Sequence, residues 1–180
     1  MGRKPLHTPP DKIKAYDKEF YLYPLKNILA YYRYEKYKYS NELKRQKYII
    51  HIIFPNAISV SKFYSIFEIE EYVIKEMRKE YSEINIDNSF IYLICDYQKG
   101  LRFWIDIQML NNIVSSKANK ENDMNVKLAF MIGLFNKNNR KSIAMSKFIA
   151  KLKNQKLEKT VVESLDEAYN VIDSMNEYIY

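Results

Sequence analysis

Residues 48–54 read YIIHIIF, and the fold turns on how that stretch is placed. The run is apolar and of strand length, which predicts a central, buried strand. Pro55 and Asn56 end it, because proline donates no ladder hydrogen bond and restricts the residue before it. From Ser65 the period changes. Ile66, Ile69, Val73 and Met77 recur at spacings of three and four with Glu and Lys between them, which predicts an amphipathic helix ending near Ile84. Ser89–Asp96 (SFIYLICD) reads as a second buried strand, punctuated by Lys99 and Gly100.

Further along, Ile105, Met109, Leu110 and Ile113 predict a helix over Phe103–Val114, and SSKANKENDMN reads as a surface loop. Val126–Leu134 (VKLAFMIGL) predicts a third core strand, followed by the basic turn NKNNRK. Ile143, Met145, Phe148, Ile149 and Leu152 predict another helix, and Leu157–Val162 a short strand. Ser164 and Glu167 form an S-x-x-E capping box, with Leu165, Ala168, Val171, Ile172 and Met175 on one helical face beyond it. Strand and helix therefore alternate from residue 48 onward, which predicts an α/β layer with largely parallel strands.

Upstream, Pro5, Pro9, Pro10 and Gly2 lie among charges, and residues 1–18 read as a flexible basic tail. Residues 19–180 read as a single domain, with 19–47 an N-terminal β extension and 48–180 the core. In EFYLYPLKNILAYYRYEKYKY (19–39), Tyr, Phe and Ile favour one or two strands broken near Pro24 and Asn27.

The 180 residues carry Lys+Arg 29 against Asp+Glu 22, a net charge of +7, and are 47% hydrophobic with 3 Gly. Such a chain has the apolar content for a core and does not resemble a disordered or fibrous one. A single cysteine excludes an internal disulfide, and two distant histidines build no zinc site with it. The three glycines fit neither phosphate-cradle motif, so no metal and no cofactor is implied. No run reaches the roughly 18 apolar residues of a membrane span, and the opening residues lack a signal-peptide apolar region, so a soluble cytoplasmic protein is expected.

His51 sits between isoleucines with no catalytic motif near it and reads as structural. Cys95 reads as a buried small hydrophobe. Asp96 ends its strand, where α/β proteins often place functional groups, although a turn or cap role is the plainer reading. Residues 1–50 hold 12 basic and 5 acidic side chains. Within them Arg33, Tyr34, Lys36, Tyr37 and Lys38 interleave rings and cations as single-stranded nucleic-acid sites do. The plainer reading is a strand with one aromatic face on the sheet and its cations in water. Arg140 and Lys141 are the second basic place.

Three stretches carry a family resemblance. IYLICDYQKG (91–100), MNVKLAFMIGL (124–134) and LEKTVVESLDEAYNVID (157–173), in this order, resemble the core of STAS-like domains, the anti-sigma-factor antagonist fold, over Tyr48–Tyr180. The resemblance implies a mixed, largely parallel sheet of about four to six strands with about four helices. It also implies a non-enzymatic regulatory or protein-interaction role. Phosphorylatable members carry Asp-Ser at the start of the helix after the second core strand, where this chain reads GLRFWIDIQML (100–110) without serine, which puts the serine phosphoswitch in doubt.

On that reading a protein partner docks around Asp96, Arg102, Phe103 and Trp104, the aromatic and Arg types that anchor interfaces. The second expectation is a nucleic-acid-binding protein using Arg33, Tyr34, Lys36, Tyr37, Lys38, Arg140 and Lys141. The third is an apolar-ligand carrier lined by Met109, Phe130 and Phe148. An enzyme ranks last, since no acid/base or nucleophile set can be assembled.

Overall fold

The computed structural model describes residues 8–41, 44–59, 62, 65–82, 89–100, 131–135 and 160–174. Seven strands are β1 (Lys12–Ala15), β2 (Lys18–Leu22), β3 (Tyr31–Ser40), β4 (Arg45–Phe54), β5 (Ser89–Tyr97), β6 (Met131–Phe135) and β7 (Thr160–Val162). Among the described residues two helices are α1 (Ser65–Glu80) and α2 (Leu165–Ser174). The strands lie side by side in sequence order in one sheet. Pairing is antiparallel from β1 to β4 and parallel from β4 to β7. The α/β class and the mixed sheet stand. The four described strands from β4 onward are all parallel and fall within the expected four to six, and the sheet as a whole is half antiparallel because the N-terminal segment joins it as strands. The expected helices over Phe103–Val114 and Ile143–Leu152 lie outside the described residues.

The continuous apolar run of β4 is buried on both faces. Its even-numbered residues Tyr48, Ile50, Ile52 and Phe54 pack with Ile66, Ile69, Val73 and Met77 of α1 and with Ile91, Leu93, Cys95 and Tyr97 of β5. On the opposite face Ile49 packs with Tyr92, Ile94, Ile132, Leu134, Val162 and the α2 residues Ala168 and Ile172. A strand covered on both sides has no place for alternating polar residues.

The α2 start is as the capping box predicts. The Glu167 N–H donates to Ser164 Oγ at 3.2 Å, and the Glu167 carboxylate accepts from the Glu163 N–H at 3.0 Å. The first bond satisfies a donor that the first helical turn leaves without an intrahelical partner, and the second ties the carboxylate to the N–H of Glu163, the residue before the cap.

Within the segment 1–18, the described residues from 8 onward depart from expectation. Lys12–Ala15 is a strand, not a tail, because Ile13 and Ala15 pack against Phe20, Tyr31 and Ile53. The β1–β2 turn is Tyr16-Asp17, with φ of 53° and 59°. Two positive φ values in a two-residue hairpin turn are the type I′ pattern, which normally uses Asn-Gly.

Candidate functional site

The hairpin of β1 and β2 does not continue the plane of the sheet. β2 pairs with β3 only at Leu22↔Tyr31 and Tyr21↔Tyr32. Its turn then crosses back, and the Tyr16 hydroxyl donates to Asp96 Oδ2 at 2.5 Å. Asp96 lies on β5, two strands inward of β3, or about 10 Å at ordinary strand spacing. The hairpin must therefore bend over the face that carries Ile49, His51 and Ile53. Phe20 meets the His51 ring edge-on at 4.9 Å, and Tyr16 lies 5.5 Å from the same ring.

His51 is 1% exposed, and neither ring nitrogen has a hydrogen-bond partner among the described residues. Its Nε2 is 3.8 Å from Asp96 Oδ2, beyond hydrogen-bond length. Burial pushes the imidazole below its ordinary value; Asp96 opposes that, while Arg33 and Lys18 add to it. Asp96 itself is buried. Beside this pair, Tyr169 of α2 donates to Glu35 Oε1 at 2.6 Å, Arg33 Nη2 donates to Glu35 Oε2 at 3.1 Å, and Lys18 Nζ donates to the Tyr169 hydroxyl at 3.2 Å. Burial alone would raise the Glu35 carboxyl, but those donors and the cations outweigh it and hold it below its ordinary value.

Where β2 leaves the sheet, a groove of about 540 Å³ opens along β3, lined by Lys18, Glu19, Tyr21, Tyr32, Arg33, Tyr34 and Glu80. The Tyr23 N–H donates to the Ala30 carbonyl at 2.9 Å, so Ala30 turns its backbone groups toward β2. Alternation gives Tyr32 and Tyr34 the same direction, away from β4. Tyr32 has β2 opposite it. Past Tyr32, no described strand pairs with this side of β3. A bulge between Lys36 and Tyr39 bends the rest of the strand.

Asp96 is thus covered by the hairpin turn and offers no exposed carboxylate. Arg102, Phe103, Trp104, Arg140 and Lys141 lie outside the described residues, as do Met109, Phe130 and Phe148. The interleaved cluster on β3 is largely matched within the chain. Arg33 is bonded to Glu35, the Tyr34 hydroxyl donates to Glu80 at 2.7 Å, and the Tyr37 hydroxyl donates to Asp173 at 2.9 Å. Lys38 pairs with Asp173 at 3.1 Å, and Lys36 is exposed. Sequence reasoning missed Tyr16, whose one signal is the Lys/apolar alternation of KIKA just before it. It also missed the divergence of β2 from β3. Among the described residues, no cluster of His, Cys, Asp or Glu could hold a metal ion, and no helix is long and apolar enough to cross a membrane. Comparison with family models, curated proteins and solved structures finds no match to this chain.

Proposed function

We propose that this chain is a STAS-like regulatory or protein-interaction domain that receives an extended, acidic segment of a partner protein along the outer side of β3. The observation that carries the reading is the early departure of β2, which leaves the backbone groups of Tyr34 aimed into an open groove. An added strand supplies the missing ladder partner, the mode of recognition by which sheet edges bind peptides. Support for the STAS-like part comes from the order β4, α1, β5 and from the closing β7–α2 unit with its capped start.

The acidic character follows from charge. The N-terminal stretch carries 12 basic against 5 acidic side chains, and Lys36 and Lys38 lie at the surface of β3, Lys38 already paired with Asp173. A second copy pairing through β3 would bring those cations together, and lysines and bulges are devices that keep edges from self-pairing. Nucleic-acid binding draws less support, because Arg33, Tyr34, Tyr37 and Lys38 are engaged by Glu35, Glu80 and Asp173.

The test is selection of short random peptides on the whole protein, followed by amide exchange of the complex with a selected peptide. Acidic binders that slow exchange at Tyr34 support the reading. Binders that protect only other regions, self-association through β3, or single-stranded RNA that outcompetes every peptide at physiological salt would overturn it.

A further inference from the structure

The buried site beneath the hairpin points to a device separate from the groove. We propose that the β1–β2 hairpin is an acid-released strap: protonation of His51 favours detachment of the Tyr16 turn from Asp96 and exposure of the imidazole to water.

The geometry makes the hairpin the part most easily lifted from His51. Tyr16 of its turn and Phe20 of β2 lie against the ring, and the hairpin is tied to the sheet by the short pairing at Leu22 and Tyr21 and by the Tyr31 hydroxyl, which donates to the Pro10 carbonyl. The turn is held down by the short hydrogen bond from Tyr16 to Asp96, by Lys18, which reaches Tyr169 and Glu35, and by the apolar packing of Ile13, Ala15 and Phe20.

The charges around His51 decide the direction. Asp96 on β5 faces it at 3.8 Å and favours the imidazolium. Arg33, its register partner on β3, and Lys18 on β2 oppose it, and Glu35 is occupied in neutralising those two cations. Asp96 is also committed to Tyr16 through the same Oδ2 that lies nearest His51. A cation formed there is therefore short of solvation while the hairpin is closed, and opening supplies water. His51 binds its proton less readily in the closed state than in the open one, so by linkage the open population grows as pH falls below the ordinary histidine value.

The magnitude is bounded. With an ordinary pKa of about 6.5 in the open state, lowering pH from about 7.5 to about 5.5 raises the open fraction by at most about tenfold. Amide protection factors of β2, which remove the intrinsic pH dependence of exchange, read this directly. Several-fold loss of protection at Phe20, with β4 and β5 unchanged, is expected in the wild-type chain, and His51→Gln should abolish the pH dependence. Should His51→Gln fail to fold, Tyr16→Phe serves: it removes only the anchoring hydroxyl, and the His51 titration followed by NMR should move up toward the ordinary value. An unchanged hairpin at low pH, loss of protection in all strands together, or a His51 titration indifferent to Tyr16→Phe would each overturn the proposal.

Discussion

Tyr169 of α2 donates its hydroxyl to Glu35 of β3 at 2.6 Å, joining the last described helix to a strand 134 positions earlier. Lys18 of the hairpin reaches the same two groups, so three separate segments meet at one carboxylate. Tyr169→Phe keeps the ring against Tyr37 and removes both the bond to Glu35 and the acceptor of Lys18, and a loss of about 1–2 kcal/mol in chemical denaturation is expected. The wild-type contribution of Glu35 has a defined pH dependence. Its folded pKa is depressed, so the stabilisation is complete above the ordinary glutamate value of 4.5 and disappears as pH falls through the lower folded value. Glu35→Gln should flatten that part of the stability curve; an unaltered curve would deny Glu35 this role.

The α2 cap gives an independent check. Ser164→Ala removes the oxygen that accepts from the Glu167 N–H and should cost about 1 kcal/mol, read from the urea midpoint. An unshifted midpoint would mean that the helix start does not depend on this bond.

The strained turn predicts a gain. Asp17 holds φ of 59°, a region glycine enters without the steric cost of a Cβ. Asp17→Gly leaves Tyr16 in place and should stabilise the hairpin by up to about 1 kcal/mol, seen as greater amide protection of β1 and β2. Lower protection would show that the Asp17 side chain contributes more than its backbone costs.

The central strands were legible because burial on two faces leaves a mark in one short window: YIIHIIF and SFIYLICD lie within the observed β4 and β5. The capping box was legible for a similar reason, since both of its residues lie within one helical turn. The hairpin was hidden. Its turn lacks the Asn-Gly that announces a type I′ geometry, and its apolar residues Ile13 and Ala15 gain their meaning from Phe20, Tyr31 and Ile53. Lys47 shows the same limit. It is buried because its Nζ donates to the Ile172 carbonyl near the end of α2 at 3.3 Å, and nothing within its own strand reveals that partner. Asp96 was recognised as a strand end, whereas its covering by Tyr16 depends on a contact 80 positions away. The groove along β3 arises where one strand leaves another, and single-strand periodicity carries no record of divergence.

The outer side of β3 can be tested at one residue. Tyr34→Pro removes the N–H that points into the groove and leaves the ladder to β4 without a lost donor, whereas Tyr34→Phe keeps that N–H and removes only the hydroxyl bonded to Glu80. The measurement is the affinity of a peptide selected on the wild-type protein, taken by isothermal titration for both variants, with folding of each verified by circular dichroism. Binding lost in Tyr34→Pro by tenfold or more, about 1.4 kcal/mol, and retained in Tyr34→Phe is the predicted result. Equal binding by a folded Tyr34→Pro variant would contradict recognition along this strand.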